Sequence, residues 1–131
     1  MTVIDGLVTQ ECTGTVRDVL ERLRRQLVER RITLFAVIDH AQGARDAGLQ
    51  LNDEVVVLFG NPIVGTSLMQ ENPLVGIDLP LRILLWDERG VTTAAFISPE
   101  ELAHRFSLDQ STLPMKPLST LMTELVESIS A

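Results

Sequence analysis

The sequence predicts an α+β domain built of two layers of secondary structure. Apolar residues recur at three- and four-residue steps over residues 16–29 and again over residues 118–130, which is typical of helices with one apolar stripe. Short apolar runs rich in β-branched residues lie between these stripes, and the turn Asp87-Glu88-Arg89-Gly90 joins two of them into a predicted hairpin. An amphipathic helix buries its apolar stripe against another element. Two such helices together with a hairpin therefore favour a two-layer α+β domain.

The first half of the chain contains one long helix and three predicted strands. Residues 3–12 favour a strand with Gly6 as a bend or bulge, and Thr15 is a suitable cap for the helix over residues 16–29. The runs 32–38 and 54–59 are short and apolar, so we expect two strands near the middle of the sheet.

The second half alternates strands with helices that begin at clear capping signals. Asn61 followed by Pro62 predicts a helix start, and Ser98-Pro99 predicts another that continues to about Arg105. Residues 81–86 and 91–97 form the hairpin. We expect residues 107–117 to be a linker to the amphipathic helix 118–130, all within a single domain of residues 1–131.

Composition limits the classes of function. The chain has 131 residues, 45% hydrophobic and 22% charged, with a net charge of −7. Such a composition is typical of one globular domain, and the negative charge argues against a nucleic-acid partner. No apolar stretch approaches the roughly 18 residues of a membrane-spanning helix, and the N-terminus has no basic leader. We therefore expect a cytoplasmic protein that does not associate with membranes.

Polar residues follow or precede apolar segments at three places, and these are the candidate site. His40 with Asp39, Asn61 with Gly60, and Asp78 with Arg82 occupy these positions. Because strand ends are where scaffolds present functional groups, we expect His40, Asn61 and Asp78 to line one pocket for a small ligand.

Each of these residues also has a purely structural interpretation. His40 is a candidate general base, oriented by Asp78, or a side chain that only bonds to the backbone at a strand end. Asp78 is equally suited to a turn or to pairing with Arg82. The Gly60-Asn61 step is either an anion site or an ordinary helix start.

The sequence argues against several kinds of catalytic site. Cys12 is the only cysteine, which excludes an internal disulfide and zinc sites with two or more sulfurs, and no metal site is expected. Phosphate-binding loops, dinucleotide fingerprints and nucleophile elbows are absent. The sequence leaves the cofactor unknown, with non-covalent haem as one option, because a single histidine in an apolar pocket can serve as its axial ligand and Met69 or Met122 could be a second ligand.

Three motifs resemble those of a known family. Phe35-Ala36-Val37-Ile38-Asp39-His40-Ala41, Phe59-Gly60-Asn61-Pro62 and Gly76-Ile77-Asp78-Leu79-Pro80-Leu81-Arg82 are similar, in order and interval, to the bacterial and archaeal family called domain of unknown function 302. The resemblance extends from about Thr15 to Phe106. It implies a fold related to the TATA-binding-protein architecture, with helices on one face of an antiparallel sheet, and it implies no chemistry.

Three functions remain open at this point. The leading hypothesis is a homodimeric protein that binds a small ligand at the strand-end residues. The second is a homodimeric interaction module without a ligand, whose function lies on an exposed apolar surface such as the C-terminal helix. The third is a small enzyme that uses His40 as a general base.

Overall fold

The computed structural model describes all residues, 1–131, and contains six strands, five α-helices and one 3-10 helix. The strands are β1 (Thr2–Ile4), β2 (Leu7–Cys12), β3 (Thr33–Asp39), β4 (Glu54–Gly60), β5 (Leu81–Glu88) and β6 (Val91–Ile97). The helices are α1 (Val16–Glu29), α2 (His40–Asp46), α3 (Pro62–Glu71), the 3-10 helix (Pro73–Asp78), α4 (Pro99–Arg105) and α5 (Met115–Ile129).

All six strands form one antiparallel sheet in the order β1-β2-β6-β5-β4-β3. The predicted α+β fold is confirmed. The expected place of β3 near the middle of the sheet is wrong, because β3 is an edge strand. Its apolar composition has another cause: Phe35 and Ile38 are 51% and 45% exposed, so part of the run faces outwards instead of being buried on both sides.

Helices α1 and α5 cover one face of the sheet and form the main core with it. Val19 and Leu23 of α1 and Leu125 of α5 are fully buried against sheet residues such as Val57 and Ile83. The apolar stripe of the C-terminal helix is therefore covered by its own sheet, and this helix is not the exposed apolar surface considered for an interaction module.

The segment expected to be a linker takes part in a second, smaller core. Leu108 and Met115 are buried together with Leu68 of α3 and Val75 of the 3-10 helix. Helix α5 begins at Met115, three residues before the expected start at residue 118. Residues 106–114 thus connect α4 to α5 and pack against the rest of the chain, and residues 115–117 belong to α5 itself.

Arg22 joins the end of the chain to the start of α1. Its Nη1 atom donates a hydrogen bond of 2.7 Å to the Ile129 carbonyl, and Nη2 donates one of 2.6 Å to the Thr13 carbonyl. The Thr13 amide also donates to the Ser130 carbonyl at 2.9 Å. The guanidinium thus satisfies a carbonyl at the end of α5, which has no partner within its helix.

We expect Arg22→Met to lower the free energy of unfolding by about 2 kcal/mol, because two charge-assisted hydrogen bonds to carbonyls are lost. Urea unfolding followed by circular dichroism measures the change. Arg25→Met is the matched control, since Arg25 is exposed on the same helix. Equal stability of the two variants would contradict this role for Arg22.

Candidate functional site

The structure does not bring His40, Asn61 and Asp78 together. Asp39 at the end of β3 pairs with Val55 near the start of β4, whereas Gly60 at the end of β4 pairs with Thr33. His40 and Asn61 therefore lie at opposite ends of the sheet, separated by six residues of strand, or roughly 20 Å. The predicted common pocket is wrong. The C-terminal ends of successive strands lie at the same end of a sheet only when the strands are parallel, and β3 and β4 are antiparallel.

At the His40 end, the polar residues organise a helix start. The Asp39 carboxylate accepts a hydrogen bond from the Gln42 amide at 2.9 Å and caps α2, which is a structural role. His40 is the exposed first residue of this helix. Asp78 lies at the other end of the sheet and does not orient it.

Asp78 and Arg82 also have other contacts than those expected. The half-buried Asp78 carboxylate forms an ion pair of 2.7 Å with Arg105, which ties the 3-10 helix to α4. Arg82 makes only a long hydrogen bond of 3.5 Å to the Pro80 carbonyl. Neither Asp78 nor Arg82 lines the cleft that lies at this end of the sheet, where β4 ends.

A largely apolar cleft of about 770 Å³ lies at the end of the sheet where β4 ends. Gly60 and Asn61 line it, so these two predicted site residues are at a pocket. The remaining wall is largely apolar and comes from the residues just after α1, from β3, α3, the loop before β5, and α5. It includes Ile32, Phe35, Val64, Met69, Leu79 and Leu121.

Helix α3 and the 3-10 helix form one side of the cleft and are weakly anchored. Each buries a single side chain, Leu68 and Val75 respectively. Ile63, Leu74 and Ile77 are instead 79%, 71% and 79% exposed. Segments with few buried apolar contacts open at low free-energy cost, so this wall is suited to admit a ligand.

Two arginines are the only charged residues that line the cleft. Arg30 is held by Glu124, with 2.9 Å between Nη1 and the carboxylate. Arg31 forms no ion pair in the structure. One guanidinium at the cleft is therefore free to bind an anionic group.

The backbone of Arg31 is in an unfavourable conformation for its residue type. At the end of α1 the Ile32 amide donates to the Leu27 carbonyl at 2.9 Å, and the Arg31 amide donates to Val28 at 3.1 Å. This is a Schellman motif, in which the residue at the position of Arg31 is usually glycine. The φ of Arg31 is +56°, in the left-handed region. Arg89 has a similar φ of +55°, so the strain by itself assigns no role to Arg31, and its relevance is its place beside the cleft.

The cleft lacks the groups needed for acid-base catalysis or for a metal. No aspartate, glutamate, histidine or cysteine lines it. No three such side chains anywhere in the chain lie close enough to hold a metal ion. Its residues can enclose an apolar molecule and neutralise one negative charge.

The residues proposed for haem do not form a matching pair. Met69 lines the cleft, but His40 and His104 are exposed and lie outside it, and Met122 is buried in the main core. The cleft therefore offers no imidazole to haem.

Cys12 is the last residue of β2, and its side chain is buried in the main core and does not line the cleft. Burial raises the pKa of its thiol, and the nearby Arg22 guanidinium only partly offsets this effect. A thiol with a raised pKa is a poor nucleophile, so Cys12 is a core residue.

Sequence reasoning missed Arg31 and Phe35 as site residues. The sequence did carry a signal for Arg31. A helix that ends in a Schellman motif has a left-handed residue just after it, and the residue at that position here is arginine instead of glycine. Nothing in the sequence distinguishes Phe35 as a site residue, because it lies within an apolar run that is typical of an ordinary strand.

A family profile described as "Domain of unknown function DUF302" matches residues 8–129. The chain is also similar to the "Fluoride-specific ion channel FluC 1" of Brucella suis biovar 1 (strain 1330), with 39% identity over 111 residues, 83% of this chain and 44% of that protein. The "Fluoride-specific ion channel FluC 2" of Brucella melitensis biotype 1 is likewise 39% identical over 111 residues, which is 41% of its length. The chain thus spans less than half of these curated relatives.

A solved structure has the same fold. The crystal structure of an uncharacterized conserved DUF302 protein from Bacillus stearothermophilus superimposes with a TM-score of 0.78 and 19% sequence identity, covering 97% of both chains. No helix of the present chain is both long and apolar enough to cross a bilayer.

Proposed function

Since the chain belongs to the DUF302 family, whose description gives no activity, we propose from its own geometry that it binds a small apolar molecule with one negatively charged head group. The observation that carries this proposal is the apolar cleft of about 770 Å³ with an unpaired arginine among its lining residues. Ligand sites are usually clefts of about 300–1,000 Å³ with apolar walls and few polar groups.

The chemistry of the wall supports a binding role over a catalytic one. General acid-base catalysis needs a titratable side chain within hydrogen-bond reach of the reacting group. The only ionisable groups at the cleft are the two arginines, which stay charged at all ordinary pH values. His40 as a general base would have to act at an exposed site far from the cleft.

The probe that fits this proposal is a medium-chain carboxylate such as decanoate. Its chain would contact Phe35, Met69 and Leu79, while its carboxylate would pair with Arg31. Decanol has the same chain without the charge, so comparing the two by isothermal titration calorimetry separates the apolar contribution from that of the head group.

Filling the cleft tests whether it is the binding site. Gly65 lies in α3, and a Cβ atom added there would be 3.9 Å from Met69 and 4.0 Å from Leu79, which is ordinary contact. We expect Gly65→Leu to abolish decanoate binding by occupying the cleft, while the helix tolerates or gains from the change. Calorimetry measures the binding, and urea unfolding measures the stability.

Gly65→Ala is the matched control for this experiment. It removes the same interior glycine from α3, which stabilises a helix by about 1 kcal/mol, but leaves most of the cleft open. The control should bind decanoate like the original protein. Unchanged binding by a folded Gly65→Leu variant would exclude the cleft as the site.

Replacing Arg31 with glycine should separate stability from binding. Glycine adopts the left-handed conformation without strain, so we expect Arg31→Gly to raise the free energy of unfolding by about 0.5–1 kcal/mol. The same change should weaken decanoate binding by roughly twofold to fivefold and leave decanol binding unchanged, because one exposed ion pair is lost.

Arg89→Gly is the control, since Arg89 also has a positive φ, of +55°, but lies in the β5–β6 turn away from the cleft. It should gain stability without any effect on binding. An Arg31→Gly variant that binds decanoate as well as the control does would remove Arg31 from the proposed site.

The relatives' names favour a second candidate function, which is participation in a response to fluoride. The similarity covers 83% of this chain in proteins called fluoride-specific ion channels. In this second proposal the chain acts together with such a channel.

Growth of the source cells in sodium fluoride, with and without the gene for this chain, tests the second candidate. We expect loss of the gene to lower the inhibitory fluoride concentration, with equimolar sodium chloride as the control. Equal fluoride tolerance of the two strains would contradict it. The Gly65→Leu variant then shows whether the effect requires the cleft.

A further inference from the structure

The face of the sheet opposite α1 and α5, here called the open face, has an apolar centre, with Thr9, Glu11, Thr93 and Glu88 among the polar residues around it. Along each strand, the residues that alternate with the core residues point to this side. They include Leu58 and Val56 of β4, Leu84 and Trp86 of β5, and Ala95 and Ile97 of β6. Ile4, Leu7 and Ile38 extend the face across the outer strands.

None of these residues belongs to either buried cluster of the domain. Leu58, Val56 and Leu84 are only half-buried although they lie on interior strands. Ile4 and Leu7 are 64% and 48% exposed. An antiparallel sheet with one solvated face normally has polar residues there, so this face is suited to burial against a partner.

We propose that the open face is a homodimer interface, in which the open faces of two copies of this chain pack against each other. The interface is isologous, with the two-fold axis lying between the sheets and crossing the strands at the row formed by Leu84 and Val56. Leu84 and Val56 then face the same residues of the second copy. This inference is independent of the ligand proposed for the cleft.

The size of the open face fits a stable dimer. Six strands at about 4.8 Å spacing and rows spanning about six residues at 3.3 Å each give a footprint of roughly 600 Å² per copy. Two copies would bury about 1,200 Å², which reaches the range of specific protein interfaces.

The symmetry brings two opposite charges of the open face together, Arg82 and Glu54, whereas Glu11 and Glu88 lie on the same face without an ion-pair partner. Arg82 pairs across the sheet with Leu58, and Glu54 pairs with Trp86, so the two charged residues are four positions apart along the strands. That is about 13 Å, too far for an ion pair within one chain. Neither residue has an ion-pair partner in the structure.

The two-fold axis places the row of Arg82 opposite the row of Trp86 and Glu54 of the second copy. Two symmetric Arg82–Glu54 pairs then form, with Trp86 beside each guanidinium for a cation–π contact. Self-complementary charge at both ends of an apolar centre fixes the orientation of the two copies.

The two backbone edges of the sheet, β1 and β3, are less suited to pairing with another chain, and β1 has only three residues. Strand β3 is at the end of the sheet, but its ladder with β4 is interrupted between Leu34 and Ala36. A bulge of this kind twists an edge and discourages strand addition from another chain. Face-to-face packing is therefore the arrangement that the sheet favours.

Sedimentation equilibrium of the full chain over a range of concentrations tests the proposal. We expect twice the mass of the 14.5 kDa chain. Val56→Glu places two carboxylates against each other at the axis and should raise the dissociation constant more than about 100-fold. Val28→Glu introduces the same change at a position 78% exposed on α1 and should leave the dimer intact.

Charge reversal tests the orientation and also covers the case in which Val56→Glu fails to fold. Arg82→Glu and Glu54→Arg should each weaken the dimer, and the double variant should restore it. A wild-type chain that stays monomeric up to about 1 mM would overturn the proposal, as would a dimer unaffected by Val56→Glu. Single reversals without effect, or a double variant that shows no rescue, would overturn the proposed orientation and with it this interface.

Discussion

The antiparallel pairing of every strand in the sheet is the constraint on which the rest of this structure depends. Because of it, the C-terminal ends of successive strands lie at opposite ends of the sheet. The polar residues after β3 and those after β4 are therefore separated by the length of a strand. It also divides each strand into one row facing α1 and α5 and one row facing away from them. The cleft and the open face both follow from this arrangement: the cleft lies where α3 leaves the sheet, and the open face lies where no core helix packs.

Helix α1 connects the stability of the fold to the chemistry of the cleft. At its beginning, Thr15 and Asp18 form a capping box, and the backbone amide of Thr15 lowers the pKa of the Asp18 carboxyl. Arg22, one turn further on, binds the end of α5. At its other end, the Schellman motif places Arg31 in a left-handed conformation. The first half of α1 thus stabilises the C-terminal helix. Just after its end, Arg31 lies at the cleft in a strained backbone conformation.

Local signals in the sequence were sufficient for the elements but not for their arrangement. The bounds of α1 and the start of α3 at Pro62 are predictable because capping and periodicity act within a few residues. The edge position of β3 is not, since an apolar run has the same composition whether it is buried on both sides or faces a partner. The pocket was expected from strand ends alone, which is valid for parallel sheets; Gly60 and Asn61 line the cleft, whereas His40 does not. A cleft is a gap between packed elements, and no local pattern encodes it.

Phe35 links the two surfaces that define this molecule. Its ring carbon Cε2 lies 3.7 Å from the position that a Cβ atom of Gly60 would occupy, and Pro80 lies 4.0 Å from the same point. Gly60 follows the core-facing Phe59, so that position is on the side of the open face. Phe35 also lines the cleft and is 51% exposed. A contact that covers this part of the open face would therefore change the wall of the cleft, because one aromatic ring belongs to both.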